Sequence, residues 1–319
     1  MITHGSQQLL YILTEILFDP GDIVLVEDPS YFVYLGIMQS HGIRGRGIRL
    51  ESDGINLVHL KETLESLKTS GELPRLKALY LVSYHSNPTG ITTAATKKAA
   101  ALKLLRSYEK AAGHRIYLIE DAAYRELRFA GKDTVSSLTM DRAANRVIYT
   151  STYSKPFATG IRIGYGLLPG PLLTAALRVK GNHDFGTTNL LQQLITRAIT
   201  SDAYKKHLIT LRQRYAKKAA SMVRAIRRHL PKGVEWEIPT GGLYVWVRIP
   251  GRIKTDLQSA LFKSALRHKV IYVPGNLCYV DDTTRRKPNH EMRLSFGSES
   301  IKNIELGIAR LGRAMNRVL

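Results

Sequence analysis

Five short runs constrain this fold more than any other feature: DIVLVE (22–27), LKALYLVS (76–83), HRIYLIED (114–121), RVIYTST (146–152) and IRIGYGLL (161–168). Several are near-continuous apolar stretches, the pattern of strands covered on both faces. Helical stretches lie between and before them: Gln7 to Phe18, Tyr31 to His41, Leu57 to Thr69 and Thr93 to Ala112. Strand and helix in this alternation predict an α/β unit with a largely parallel sheet. The chain has 319 residues, 44% of them hydrophobic, enough for a sizeable core and one large or two medium domains.

The second half has a different rhythm. Leu208, Leu211, Tyr215, Ala219, Met222, Ile226 and Leu230 recur at three- and four-residue intervals, one face of a long helix that Pro231 and Gly233 end. Strand-like GGLYVWVRI (241–249), helical 255–268, strand-like VIYVPG (270–275) and MRLSFG (292–297), and a helix from 300 follow. The expected division is a large domain over 1–203, then a joining helix and a small C-terminal α+β domain over 204–319.

Composition excludes several classes. The single cysteine, Cys278, allows no intramolecular disulfide and no Cys-based zinc centre. No apolar run reaches the roughly 18–20 residues of a membrane span, and MITHGSQQLL lacks the basic start and apolar stretch of a signal peptide. A cytoplasmic protein without a metal site is expected. The net charge of +21 admits a nucleic-acid partner, an anionic substrate or plain solubility. Ten Lys or Arg and no Asp or Glu fall between Lys205 and Lys232. That run reads first as the solvated face of the long helix, so nucleic acid is not the expected partner.

Candidate chemistry collects at the strand ends. STYSKPFATGIRIG (151–164) sets Lys155 after a predicted buried strand, with Thr152 and Ser154 before it and Arg162 after it. Most lysines are solvated charges, but one desolvated at a strand end has a lowered pKa and a nucleophilic amine. An S-x-x-K acyl-enzyme motif would need serine at position 152, where threonine stands, and no S-D-N or K-T-G follows. HGSQQLL (4–10) offers Ser6 as the N-cap of a helix from about Gln7, and free N–H groups at a helix start bind phosphate. In DPSY (28–31), Tyr31 would either stack on a planar ring or pack in the core. In SNPTG (86–90), Asn87 would either serve the turn or project at the carboxyl edge of the sheet, where open α/β folds bind ligands. In EDAAY (120–124), Asp121 ends a strand and Tyr124 follows; a buried carboxylate there needs a cationic partner. Each piece alone also has a purely structural reading. Together, in order, they are the parts needed to hold pyridoxal 5′-phosphate.

The ordered set GSQQ, DPSY, NPTG, EDAAYREL, SK…GIRIGY, PTGGLYVW, VPG and MRLSF resembles the fold-type I pyridoxal-phosphate enzymes, and within them the class I/II aminotransferases. The resemblance is greatest to the 2-aminoadipate/kynurenine aminotransferase branch, which includes the aminotransferase-like part of MocR-type regulators. It covers essentially the whole chain and implies a mainly parallel seven-stranded sheet between helices, with the smaller α+β domain beyond. It implies that Lys155 forms the Schiff base, that Asp121 pairs with the pyridinium nitrogen, and that Tyr124 and Asn87 bond the ring oxygen. Tyr31 would stack on the ring. Ser6, the Gln7 amide, Thr152, Ser154 and Arg162 would hold the phosphate, and Arg293 the substrate carboxylate, near Asn87. The implied reaction is ping-pong amino transfer between an L-amino acid and a 2-oxo acid, in a homodimer. A non-catalytic regulatory module and a lyase or decarboxylase on the same frame are the alternatives. Only Met1 to His4 precede GSQQ, where the family carries a longer segment with its N-terminal arm and much of its side-chain specificity. A truncated reading of the gene is the favoured explanation over a natural short form or a decayed, weakly active paralogue. Ser86 and Pro156 are minor departures beside Asn87 and Lys155.

Overall fold

The computed structural model describes residues 1–251 and 253–318. Its larger sheet contains β1 (Ile2–Thr3), β2 (Ile23–Asp28), β3 (Arg44–Glu51), β4 (Gly54–Ile55), β5 (Leu76–Val82), β6 (Tyr117–Asp121), β7 (Val147–Thr152) and β8 (Gly164–Leu167), in the order β1-β8-β7-β6-β5-β2-β3-β4. Strands β3, β2, β5, β6 and β7 run parallel; β8, β1 and β4 pair antiparallel at the two sides. The sheet thus has eight strands where seven were expected. At its margins β1 and β4 are two-residue pairings too short to leave a pattern in sequence.

Every residue of β2 and of β7 is buried, because helices cover both faces of the sheet. Helices α1 (Ser6–Leu17) and α2 (Phe32–Ser40) pack one face through Leu9, Leu13, Tyr34 and Met38 against Val24, Val26 and Tyr80. Helices α3 (Leu57–Thr69) and α4 (Ala95–Ala112) cover the other through Leu60, Leu64 and Leu105 against Leu25, Leu79 and Leu118. Full burial of each such side chain stabilises by about 1.5–3 kcal/mol. Then come α5 (Gly170–Asp184), α6 (Asn189–Thr200) and the long α7 (Ala203–His229).

A second, antiparallel sheet follows, of β9 (Glu235–Trp236), β10 (Tyr244–Arg248), β11 (Val273–Pro274) and β12 (Glu291–Ser295), ordered β11-β12-β10-β9. It packs with α7, α8 (Ala260–Arg267) and α9 (Ile301–Asn316) around Met222, Ile226, Val247, Phe262, Met292 and Ile308. No helix of the described residues is long and apolar enough to cross a membrane.

The consequence for function is directional. Strands β2, β5, β6 and β7 are parallel, so the segments after Asp28, Val82, Asp121 and Thr152 all leave the sheet at one edge. The antiparallel β8 starts at that same edge, with Gly164 opposite Thr152.

Candidate active site

One cavity at that edge is lined by Gly5, Ser6, Gln7, Tyr31, Val82, Asp121, Ala123, Tyr124, Thr152, Ser154, Lys155 and Arg162. Of the residues nominated from sequence, only Asn87 and Arg293 are not in its lining; Asn87 bonds Tyr124, and Arg293 bonds Asn87.

At one end the start of α1 meets the turn after β7. Gly5, not Ser6, occupies the cap position, with φ 79°, and Ser6 is the first helical residue. Serine gives the usual capping signal, but the close approach demands glycine one residue earlier. A Cβ on Gly5 would lie 2.9 Å from Arg162 Nη2, and one on Gly164 would lie 2.4 Å from the Gly5 carbonyl carbon. No side chain caps the helix, so its first N–H groups are left for another acceptor. Arg162 adopts φ 47°, a left-handed conformation rare for arginine, after a 3-10 turn over Thr159–Ile161 that delays the expected strand 161–168 until Gly164. Its Nη1 donates to Ser154 Oγ (3.1 Å) and its Nη2 to the His4 carbonyl (3.3 Å). The Ser154 amide donates to Thr152 Oγ1 at 3.1 Å. Hydroxyls, a guanidinium and a helix N-terminus converge here, which is an anion cradle.

At the other end is Asp121, 2% exposed. Its Oδ1 accepts from the Ala123 amide (3.0 Å) and its Oδ2 from the Tyr80 hydroxyl (2.9 Å). Burial raises its carboxyl to about 6, while those two bonds pull the other way. It is therefore ionised at neutral pH, and no cation pairs with it among the described residues. Tyr31 stands at the N-cap of α2 between the two ends; burial, with Asp121 nearby, pushes its phenol up to about 12, so it stays neutral.

Lys155 is half-buried in the cavity wall. The buried lysines Lys97, Lys98 and Lys180 each meet a carboxylate, whereas among the described residues none pairs with Lys155.

Arg293 comes from β12, opposite Trp246 of β10. Its Nη1 donates to Asn87 Oδ1 at 2.6 Å, and Asn87 Nδ2 donates to the Tyr124 hydroxyl at 3.3 Å. The guanidinium lies 4.2 Å from the centre of the Tyr244 ring, and its Nε is buried without a partner. A buried donor without a partner on this half-buried guanidinium suits an anionic acceptor.

Three residues escape the sequence reading: Tyr80, Tyr244 and Glu27. Tyr80 had a signal, since a phenol inside an apolar strand must find a partner when buried. Glu27 accepts from Ser86 Oγ (2.8 Å) and so anchors the turn that carries Asn87; nothing local in the sequence announces that contact.

An anion cradle, an unpaired amine and an ionised buried carboxylate, in that order along the carboxyl edge of a parallel sheet, fit pyridoxal 5′-phosphate and define a fold-type I enzyme of that cofactor. The family model "Aminotransferase class I and II" matches residues 1–311, and the chain belongs to this family. It is 30% identical to aromatic-amino-acid aminotransferase 1 of Thermococcus litoralis over 316 residues, covering 99% of this chain and 72% of that protein. Among solved structures, a kynurenine aminotransferase of Pyrococcus horikoshii superposes with a TM-score of 0.91 at 31% identity, covering 100% of this chain and 75% of that one. The α-aminoadipate aminotransferase LysN of Thermus thermophilus, complexed with a phosphopyridoxyl-leucine, superposes with a TM-score of 0.87 at 30% identity, covering 99% and 77%. The chain is a pyridoxal-phosphate-dependent transaminase.

Proposed function

We propose that the cavity binds pyridoxal 5′-phosphate through Lys155 and moves an amino group between an L-amino acid and a 2-oxo acid. The observation that carries this reading is that Lys155, which pairs with no carboxylate among the described residues, lines one cavity with the anion cradle and Asp121. When bound, the cofactor withdraws electrons from the substrate Cα and carries the amino group between the two half-reactions. The protein supplies everything else. Ser6, the Gln7 amide, Thr152, Ser154 and Arg162 hold the phosphate. Asp121, held ionised by Tyr80 and the Ala123 amide, pairs with the protonated ring nitrogen and keeps it protonated. Tyr31 stacks on the ring, and Tyr124 and Asn87 bond its phenolic oxygen. Lys155 would hold the group covalently, and its free amine would serve as the base that takes the proton from the substrate Cα. Arg293 binds the substrate carboxylate with the donors that Asn87 leaves free.

The named relatives act on aromatic amino acids, kynurenine and α-aminoadipate, so donors of those classes head the test panel. A non-catalytic cofactor-binding module or a lyase has no observation in its favour. We place the enzyme in the cytoplasm, in keeping with a lone buried cysteine, and as a homodimer. The division at 203/204 belongs to the same reading, with Arg293 brought to the cofactor by the C-terminal part. Nucleic acid has no role in it. Lys155→Ala tests the reading: the visible absorption band formed on adding the cofactor should vanish with this substitution. A band equal to that of the unsubstituted chain would refute it.

A further inference from the structure

Four side chains from four separate segments close a ring beside the cofactor cavity. Arg293 donates to Asn87 (2.6 Å), Asn87 donates to Tyr124 (3.3 Å), the Tyr124 hydroxyl lies 3.2 Å from the Tyr244 hydroxyl, and the Tyr244 ring lies under Arg293 (4.2 Å). Three of these four side chains, Arg293, Asn87 and Tyr124, are ones the proposed function already uses. Tyr244 is the fourth member, 8% exposed, and no role is yet attached to its hydroxyl.

We propose that the Tyr244 hydroxyl is a positioning group that donates to Tyr124 and thereby aims the Tyr124 proton at the ring oxygen of the cofactor. The inference rests on the cofactor reading above. Its argument is a count. A phenol has one proton to give and two lone pairs to receive with. Asn87 Nδ2 fills one lone pair of Tyr124. If Tyr124 gives its proton to the cofactor, the contact with Tyr244 is made only by Tyr244 donating into the second lone pair. All the capacity of Tyr124 is then used, and its proton has one direction left. Two donors into one oxygen also strengthen that oxygen's own O–H as a donor. Burial, followed by the neighbouring Tyr244, holds the Tyr124 phenol well above its ordinary range, so it remains a neutral donor at working pH. The ring of Tyr244 has a separable task, since it supports the Arg293 guanidinium whether or not the hydroxyl is present.

A pH titration of the visible band of the bound cofactor tests this without any turnover. A hydroxyl that donates to the ring oxygen favours the form that has lost its proton, so weakening that bond raises the midpoint. Tyr244→Phe keeps the ring and is expected to raise the midpoint by about half a unit. Tyr124→Phe should raise it further, and Tyr124→Phe combined with Tyr244→Phe should match Tyr124→Phe alone, because the Tyr244 hydroxyl acts only through Tyr124. Replacing Tyr244 by 3-fluorotyrosine, whose hydroxyl is the stronger donor, should lower the midpoint, and it serves if the phenylalanine variant does not fold. An unmoved midpoint in the Tyr244 variants, or full additivity in the double variant, overturns the proposal while leaving the cofactor reading intact. No visible band in the unsubstituted chain overturns both.

Discussion

Glu27 ends in a buried pocket where Ser86 donates to it, and burial raises its carboxyl to about 8. It is therefore mostly protonated at neutral pH in the folded chain and ionised in the unfolded one. A carboxyl raised on folding contributes stability that is fully present below its unfolded value of 4.5 and is lost as pH rises towards 8. Glu27→Gln keeps the shape and removes the titration. The melting temperature of the cofactor-free variant should thus gain on that of the unsubstituted chain between about pH 5 and pH 8. A difference that stays constant over this range in calorimetry would show that Glu27 is not buried as described. Asp28 and Asp121 are raised in the same sense, to about 7 and about 6, and are present in both proteins. At this scale the residues proposed to hold the cofactor were legible because they lie at a helix start or in the turns beside strand ends. Glu27 and Tyr244 were not, because their partners lie 59 and 120 residues away.

The elements hold these residues through a few close approaches. Gly164 of β8 lets the start of α1 come within backbone contact, and Gly164→Ala would force the two apart. We expect it to leave the far-ultraviolet spectrum unchanged and to weaken cofactor binding by roughly tenfold, a cost of about 1.4 kcal/mol; an unchanged dissociation constant in equilibrium titration would contradict that role. On the other face of β6, Lys98 of α4 forms a 2.9 Å ion pair with Glu120, both side chains 0% exposed. Lys98→Met strands a buried carboxylate and should cost about 3–5 kcal/mol in urea denaturation. A loss below about 1 kcal/mol would mean that the pair is hydrated. The strands β2, β5, β6 and β7 were legible because burial on both faces makes them continuously apolar. Strand β3 was not: RGRGIRLE reads as a polar loop. Yet a Cβ at Gly45 would lie 2.1 Å from Val280 and one at Gly47 2.3 Å from Asp28, while Arg46 pairs with Glu72 and Asp282. Its composition answers to tertiary neighbours rather than to strand periodicity. Helices α5 and α6 also lie outside the sequence reading; α6 buries only Ile195, so burial leaves no stripe along it.

The whole molecule joins a site at one sheet edge to Arg293 from the second sheet, and it exposes several large apolar side chains on and between α5 and α6. Phe185 is 100% and Leu190 74% exposed, with Leu177 and Leu194 nearby in sequence on α5 and α6. A homodimer would cover such side chains. Sedimentation should then give twice the 35.7 kDa chain mass, and Phe185→Asp with Leu190→Asp should give the single-chain mass; a monomeric unsubstituted chain would remove the dimer from the account. The central claim is that Lys155 turns this edge into a transaminase. Its most direct test is the visible spectrum of the purified chain with pyridoxal phosphate, before and after an aromatic or α-aminoadipate donor is added. The account predicts a visible band that is absent in Lys155→Ala and that the donor converts to the amine form of the cofactor. A band that survives Lys155→Ala, or one that no amino-acid donor alters, would contradict it.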